Sequence, residues 1–201
     1  MLHKTHNNGR LMADNTTQPD PSQRRFAAER FLASVEQRAF RMAVIATRQR
    51  DEAMDIVQDT MLAWVKHYLG HPQEGWKPLF YKVLQNRIRD WRRRTLVRRR
   101  IMVWLGRGDD DGEEHFDQLA AIADPVTGDP ASVLAHRQTL EKLLRAVERL
   151  PLRQQQAFLL RSWEGLDVSA TALAMGCSEG SVKTHLSRAM TSLRASVEDN
   201  L

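Results

Sequence analysis

Cysteine is almost absent from this chain: its 201 residues include only Cys177. A single thiol excludes an intrachain disulfide and any metal site built from several thiolates. Long apolar runs are also missing, and none approaches the roughly 20 residues that cross a bilayer. Because no apolar stretch follows the polar N-terminus, we expect no signal peptide, no membrane insertion and a cytoplasmic protein.

Sequence motifs for catalysis are missing as well. The chain contains no Gly-rich phosphate-binding loop and no nucleophile motif, and its seven histidines are scattered rather than spaced as metal ligands. We therefore expect no enzymatic activity, no metal site and no cofactor. What the chain does have is an excess of positive charge, +5 at pH 7, which favours a polyanionic partner.

Apolar residues recur at helical spacing through most of the chain, and no segment alternates with the period of a strand. Residues 1–24 are polar and proline-containing, which predicts a disordered tail. Three helices should follow, starting at Phe26, after Asp51 and near Pro78. The sequence therefore predicts an all-α protein whose first helical domain occupies residues 25–100.

The charge changes abruptly at the end of the third helix. Residues 85–100 hold eight arginines and one aspartate, whereas residues 109–130 hold eight acidic side chains and no lysine or arginine. The acidic stretch is also rich in glycine and proline, so residues 101–130 are predicted to be a flexible acidic linker. A second small helical domain should then occupy residues 131–201.

The second domain contains the pattern of a helix-turn-helix at residues 166–188. Asp167 is suited to cap the first helix, Gly176 to end it in a left-handed conformation, and Ser178 to cap the second helix. Two short helices joined by a turn with a glycine are typical of a DNA-binding module. The polar face of its second helix would then lie in a DNA groove.

Two further groups of residues are candidates for binding. The arginine-rich third helix is either a solvated basic face or a nucleic-acid surface, in which arginines hold phosphates, Asn86 reads a base edge, and Trp76 and Tyr81 stack on an unpaired base. On the second helix, Asp55, Gln58 and Asp59 form either ordinary surface or a docking patch for a basic protein.

Taken together, these residues resemble the extracytoplasmic-function (ECF) group of the sigma-70 family of RNA polymerase sigma factors. Residues 50–60 look like the family's polymerase-binding helix, and residues 79–94 look like its helix that reads and melts the minus-ten element. Residues 150–188 look like its minus-thirty-five-reading domain. The resemblance identifies the first domain as similar to sigma region 2 and the second as similar to sigma region 4.

The resemblance implies that the protein binds core RNA polymerase, directs it to promoters and helps to melt them, under the control of an anti-sigma factor. Duplex and single-stranded promoter DNA would both be ligands. The core-binding residues would be Asp55, Gln58 and Asp59. The minus-ten residues would be Trp76, Lys82, Asn86, Arg89, Arg92 and Arg93. The minus-thirty-five residues would be Ser181, Lys183, Thr184, Ser187 and Arg188.

Two other functions are compatible with parts of the pattern. A stand-alone regulator with a LuxR-like helix-turn-helix would bind operators as a homodimer without polymerase, but it gives the arginine-rich helix no role. An interaction protein that binds RNA would use the arginine run and would show no promoter preference.

Overall fold

The structure is a computed structural model and describes residues 20–104 and 130–198. Both ranges are helical, and neither contains a strand, which confirms the all-α prediction. Residues 20–104 are called the N-terminal unit here, and residues 130–198 the C-terminal unit. Their α-helices are α1 (Pro21–Thr47), α2 (Arg50–Tyr68), α3 (Trp76–Trp104), α4 (Pro130–Arg149), α5 (Leu152–Phe158), α6 (Val168–Met175) and α7 (Glu179–Glu198).

Helix α1 begins earlier than its apolar pattern indicates. The Asp20 side chain accepts a hydrogen bond from the Ser22 amide at 3.4 Å, and Pro21 occupies the first helical position, where its missing N–H costs nothing. Residues 21–24 are therefore helical, and the prediction that the tail extends to residue 24 is wrong at its end. Residues 1–19 of that tail lie outside the described residues. Arg48 ends the helix in a left-handed conformation, with φ of 60°.

The core of the N-terminal unit is built around a cluster of aromatic rings. Trp64 of α2 is fully buried, and its ring centroid lies 5.0 Å from that of Phe31 on α1 and 5.2 Å from that of Trp76 on α3. Phe80 of α3 is also fully buried and meets Phe31 edge-on at 5.9 Å. Aromatic pairs in such tilted and edge-to-face geometries contribute beyond the area they bury, so this cluster ties all three helices together.

Helix α3 is longer at both ends than the sequence pattern suggests. A 3-10 turn at Gln73–Gly75 leads directly into Trp76, two residues before the expected start at Pro78. The helix then continues to Trp104, so residues 101–104 belong to it and not to the predicted linker. The rest of that linker, residues 105–129, lies outside the described residues, and α4 begins at Pro130.

The C-terminal unit packs four helices around a small apolar core. Leu160, Met175, Val182 and Ala189 are all fully buried there. The side chain of Gln155 is also buried, and its amide donates to the Val147 carbonyl at 3.0 Å, which fixes α5 against the end of α4. A π-helical segment, Leu159–Trp163, follows α5 and leads into the turn before α6.

The two units contact each other directly. Helix α3 packs along α6, and α1 approaches α4. Lys77 of the N-terminal unit lies 2.9 Å from the carboxylate of Glu164, and Arg48 lies 3.8 Å from that of Glu148. Within the described ranges, no helix combines the length and the apolar character needed to cross a membrane.

The aromatic cluster predicts a clear stability difference between two tryptophans. Trp64→Ala should lower the free energy of unfolding by about 3–5 kcal/mol, because it leaves a cavity among three helices. Trp104→Ala is the matched control, since Trp104 is 84% exposed and its loss should change stability by no more than about 0.5 kcal/mol. Urea titration followed by circular dichroism measures both, and equal losses would contradict this account of the core.

Candidate nucleic-acid interface

The helix-turn-helix has the local geometry that its sequence predicts. The Asp167 carboxylate accepts from the Ala170 amide at 2.7 Å and caps α6. Gly176 ends that helix with φ of 62°, and the Ser178 hydroxyl accepts from the Ser181 amide at 3.2 Å at the start of α7. All three predicted caps are confirmed, so the angle between α6 and α7 is set by local hydrogen bonds and one left-handed residue.

Helix α7 buries one side and exposes the other. Val182 and Ala189 point into the core, with no exposed surface. Four of the predicted minus-thirty-five residues are exposed on the opposite side: Lys183, Thr184, Ser187 and Arg188. The fifth, Ser181, is half-buried, and its hydroxyl lies 2.9 Å from that of Ser178. A polar, basic face on the first turns of the second helix is what a major-groove reader needs.

A second surface follows one side of α3. Lys82, Asn86, Arg89 and Arg93 recur at spacings of four, three and four, which places them on one stripe of the helix. The Arg89 guanidinium donates to the side-chain oxygen of Asn86. This contact holds the amide beside a fixed positive charge, an arrangement suited to a base edge next to a phosphate.

Arg92 is separated from that stripe. Its side chain is half-buried, as are those of Lys82, Asn86 and Arg89, but it lies within electrostatic range of Arg48 at the end of α1. Partial burial, and then the positive charge of Arg48, lower the pKa of the Arg92 guanidinium below its usual range. Of the two adjacent arginines, Arg93 is the exposed one, and it forms a solvent-exposed ion pair with Asp90 at 3.5 Å.

The predicted stacking role of Trp76 and Tyr81 is wrong in this structure. Trp76 is 3% exposed, its ring packs against Phe31 and Trp64, and its indole N–H donates to the His71 carbonyl at 2.8 Å. Tyr81 has no exposed surface at all. Both rings belong to the core, because the aromatic cluster already covers the faces that a base would need.

The third surface lies on α2. Asp55, Gln58 and Asp59 are all exposed on one face of this helix, as predicted. The structure adds two apolar residues that sequence reasoning missed, Leu62 with 71% exposure and Met54 with 42%. An exposed leucine four residues after Gln58 could have been noticed from the helical spacing alone. Together, these five residues form a patch with an apolar residue at each end and two carboxylates along one edge, which is suited to a basic protein partner.

Among residues 20–104 and 130–198, no three or more His, Cys, Asp or Glu side chains are grouped to hold a metal ion. The chemistry that these three surfaces offer is charge, hydrogen bonding and apolar contact.

Comparison with known proteins assigns this arrangement to a family. Residues 140–193 match the family described as sigma-70, region 4. A curated relative, the RNA polymerase sigma factor NccH of Alcaligenes xylosoxydans xylosoxydans, is 30% identical over 149 residues, which are 73% of each chain. The chain is a member of the ECF group of sigma-70 family sigma factors.

A second curated relative agrees with this assignment, and two solved structures share the fold. The RNA polymerase sigma-E factor of Streptomyces antibioticus is 39% identical over 56 residues, 28% of this chain and 31% of that protein. In fold, the chain resembles RpoE of Bartonella quintana, solved in complex with the anti-sigma factor NepR, with a TM-score of 0.58, 24% identity and coverage of 87% and 98% of the two chains. It also resembles CnrH, solved with the cytosolic domain of CnrY, with a TM-score of 0.57, 15% identity and coverage of 90% and 96%.

The geometry of the turn predicts opposite effects at two glycines of the sigma factor. Gly176→Ala should destabilise the C-terminal unit by about 1–2 kcal/mol, because its positive φ penalises a Cβ, although no atom lies within 4 Å of that position. Gly180→Ala, in the first turn of α7, should be neutral or stabilising by up to about 1 kcal/mol, since its Cβ would meet only the Ser178 hydroxyl at 3.9 Å. Thermal unfolding distinguishes the two, and a stable Gly176→Ala variant would contradict the assigned turn.

Proposed function

We propose that this sigma factor binds core RNA polymerase through α2, reads the minus-thirty-five duplex through α7 and captures a melted strand of the minus-ten element along α3. The observation that carries the proposal is the placement of three chemically different surfaces on three helices. The faces on α2 and α7 are exposed, and the basic stripe on α3 is half-buried with an exposed end at Arg93. The N-terminal unit thus combines polymerase binding with promoter melting, and the C-terminal unit holds the upstream element.

On α2, the patch formed by Met54, Asp55, Gln58, Asp59 and Leu62 is proposed to contact polymerase. The two carboxylates would supply orientation and selectivity for a basic surface, and the exposed leucine would supply most of the apolar contact. Asp59 also lies 3.8 Å from Arg87 of α3. Because both side chains of that pair are largely exposed, the carboxylate can exchange this partner for one on polymerase at little cost.

On α3, the stripe is proposed to act after a base has left the duplex. Extruding a base costs a few kcal/mol, so contacts that form only with the extruded base can shift the equilibrium toward the melted state. Asn86 is proposed to read the base, while Lys82, Arg89 and Arg93 hold the flanking phosphates. Arg92, which is half-buried beside α1, is proposed to act at the margin of this surface. No nucleotide hydrolysis is needed in this scheme, and we propose no catalytic role for the chain.

We also propose that an anti-sigma factor controls this protein in the cytoplasm. The support is the similarity of its fold to RpoE and CnrH, whose structures contain an anti-sigma factor and a cytosolic partner domain. An anti-sigma factor that covered the α2 patch or the α3 stripe would prevent polymerase or promoter binding.

Reversing one charge of the α2 patch tests polymerase binding. Asp55→Arg should weaken the affinity for core polymerase by about tenfold or more, since it places like charges across the interface. Glu36→Arg is the matched control, because Glu36 is exposed on α1 outside every proposed interface, and it should bind as the wild type does. Fluorescence anisotropy of labelled protein titrated with core polymerase measures both. A wild-type chain that did not bind core at modest salt would overturn the proposal.

Removing one positive charge from α7 tests promoter contact. Arg188→Ala should weaken binding of the polymerase complex to promoter DNA and reduce the slope of log K against log salt by about 1, if Arg188 holds a phosphate. Arg194→Ala removes an exposed arginine from the same helix, but beyond the first turns that face the groove. Arg194→Ala, the control, should keep the wild-type slope. Identical slopes for the two variants would show that Arg188 does not contact a phosphate.

A further inference from the structure

The contact between the two units is centred on one buried carboxylate. Glu164 lies in the turn between the π-helical segment and α6, and its side chain is only 1% exposed. Lys77 of α3 lies 2.9 Å from this carboxylate and also donates to the Glu164 carbonyl at 3.0 Å. Arg38 of α1 lies 3.5 Å from the same carboxylate oxygen. Both cations therefore come from the N-terminal unit, while the anion belongs to the C-terminal unit.

The surroundings of Glu164 are closed to water on the side of the N-terminal unit. The Tyr81 side chain of α3 is fully buried close to this carboxylate. Burial, and then the negative charge of Glu164, raise the pKa of the Tyr81 hydroxyl well above its usual range, so this hydroxyl remains un-ionised.

A second ion pair, between Arg48 of α1 and Glu148 of α4, crosses between the units at 3.8 Å.

Glu164 and its two cations are solvated very unequally. The Lys77 and Arg38 side chains are 39% and 52% exposed, so both cations keep part of their hydration. The carboxylate keeps almost none, and a buried carboxylate is strongly unfavourable unless cations compensate it. Contact between the two units is therefore favourable only while Lys77 and Arg38 remain beside Glu164. Separation of the units would return the carboxylate to water.

In this closed arrangement, the two proposed DNA-binding surfaces are too close together to reach both promoter elements. Two elements named for positions minus ten and minus thirty-five are about 25 base pairs apart, which is about 85 Å of duplex at 3.4 Å per base pair. Even α3, the longest helix described with 29 residues, spans only about 44 Å, and α6 packs against both α3 and α7, the helices that carry the two proposed DNA surfaces. Two units that touch through a 2.9 Å ion pair cannot contact both elements at once, so they must separate when both are read.

We propose that Glu164 is a latch that holds the free sigma factor in a closed arrangement, with Lys77 and Arg38 of the N-terminal unit as its counter-ions. Polymerase and promoter DNA open the latch by binding the separated units. The closed state lowers the apparent affinity for promoter in proportion to the fraction of open molecules. This functional consequence rests on the proposed function, whereas the closed state of the free chain does not.

The latch is tested by measuring the separation of the units in the free, full-length chain. Spin labels on Gln37→Cys of α1 and Thr191→Cys of α7, in a Cys177→Ser background, report the distance between the units by electron double resonance. With the wild-type interface, the distribution of distances between the labels should be narrow and centred at a short distance. Lys77→Met should shift the equilibrium toward open molecules by roughly tenfold to a hundredfold, seen as a broad, longer distribution, because it leaves the buried carboxylate with Arg38 alone.

Two further variants separate a latch from general damage. Adding Glu164→Gln to Lys77→Met should restore the short distance, because the neutral amide no longer requires a second cation when buried. Lys66→Met is the matched control, since Lys66 is exposed on α2, and it should keep the wild-type distance. Circular dichroism should show the same helix content in all variants, so that a change in distance reports separation of folded units.

Each outcome decides the proposal. A broad distance distribution in the chain with an intact interface, an unchanged distance in Lys77→Met, or no recovery in the Lys77→Met/Glu164→Gln double variant would each overturn the latch. None of these results depends on polymerase or promoter. A chain that binds core and starts transcription but is open when free would refute the latch alone, whereas a closed chain that does not bind core would refute the proposed function alone.

Discussion

Helix α3 is constrained on opposite sides by two different requirements. Phe80, Leu84 and Ile88 are buried on one side and form part of the core with α1 and α2. Asn86 and Arg89 lie on another side and belong to the basic stripe. Because the angle between side chains on a helix is fixed by its period, the position of the stripe is set by how the core packs. A change in core packing would therefore move the whole stripe, which is proposed to bind nucleic acid.

Features set by residues close in sequence could be predicted from the sequence alone. The caps formed by Asp167 and Ser178 and the left-handed Gly176 depend only on neighbouring amides and on backbone preferences. The exposed faces of α2 and α7 follow in the same way from helical periodicity. The roles expected for these surfaces come from the family resemblance, and comparison with known proteins confirms the family itself.

Features set by residues distant in sequence could not be predicted. An aromatic residue at the start of a basic helix is equally compatible with base stacking and with a core position, and only packing against Phe31 and Trp64 places Trp76 in the core. The same applies to Glu164, whose burial depends on Lys77, 87 residues earlier. Helix ends were also missed where a cap, as at Asp20, or simple continuation, as at Trp104, extended a helix beyond its apolar pattern.

Two separate helical units are proposed to read two promoter elements together on polymerase. The most direct measurement is transcription of fragmented genomic DNA by core polymerase, with and without this chain, followed by mapping of every start site. We expect start sites that appear only when the chain is added and whose upstream sequences share two short elements at a constant spacing. Start sites that share only one element, or none, would show that the two units do not read the promoter together.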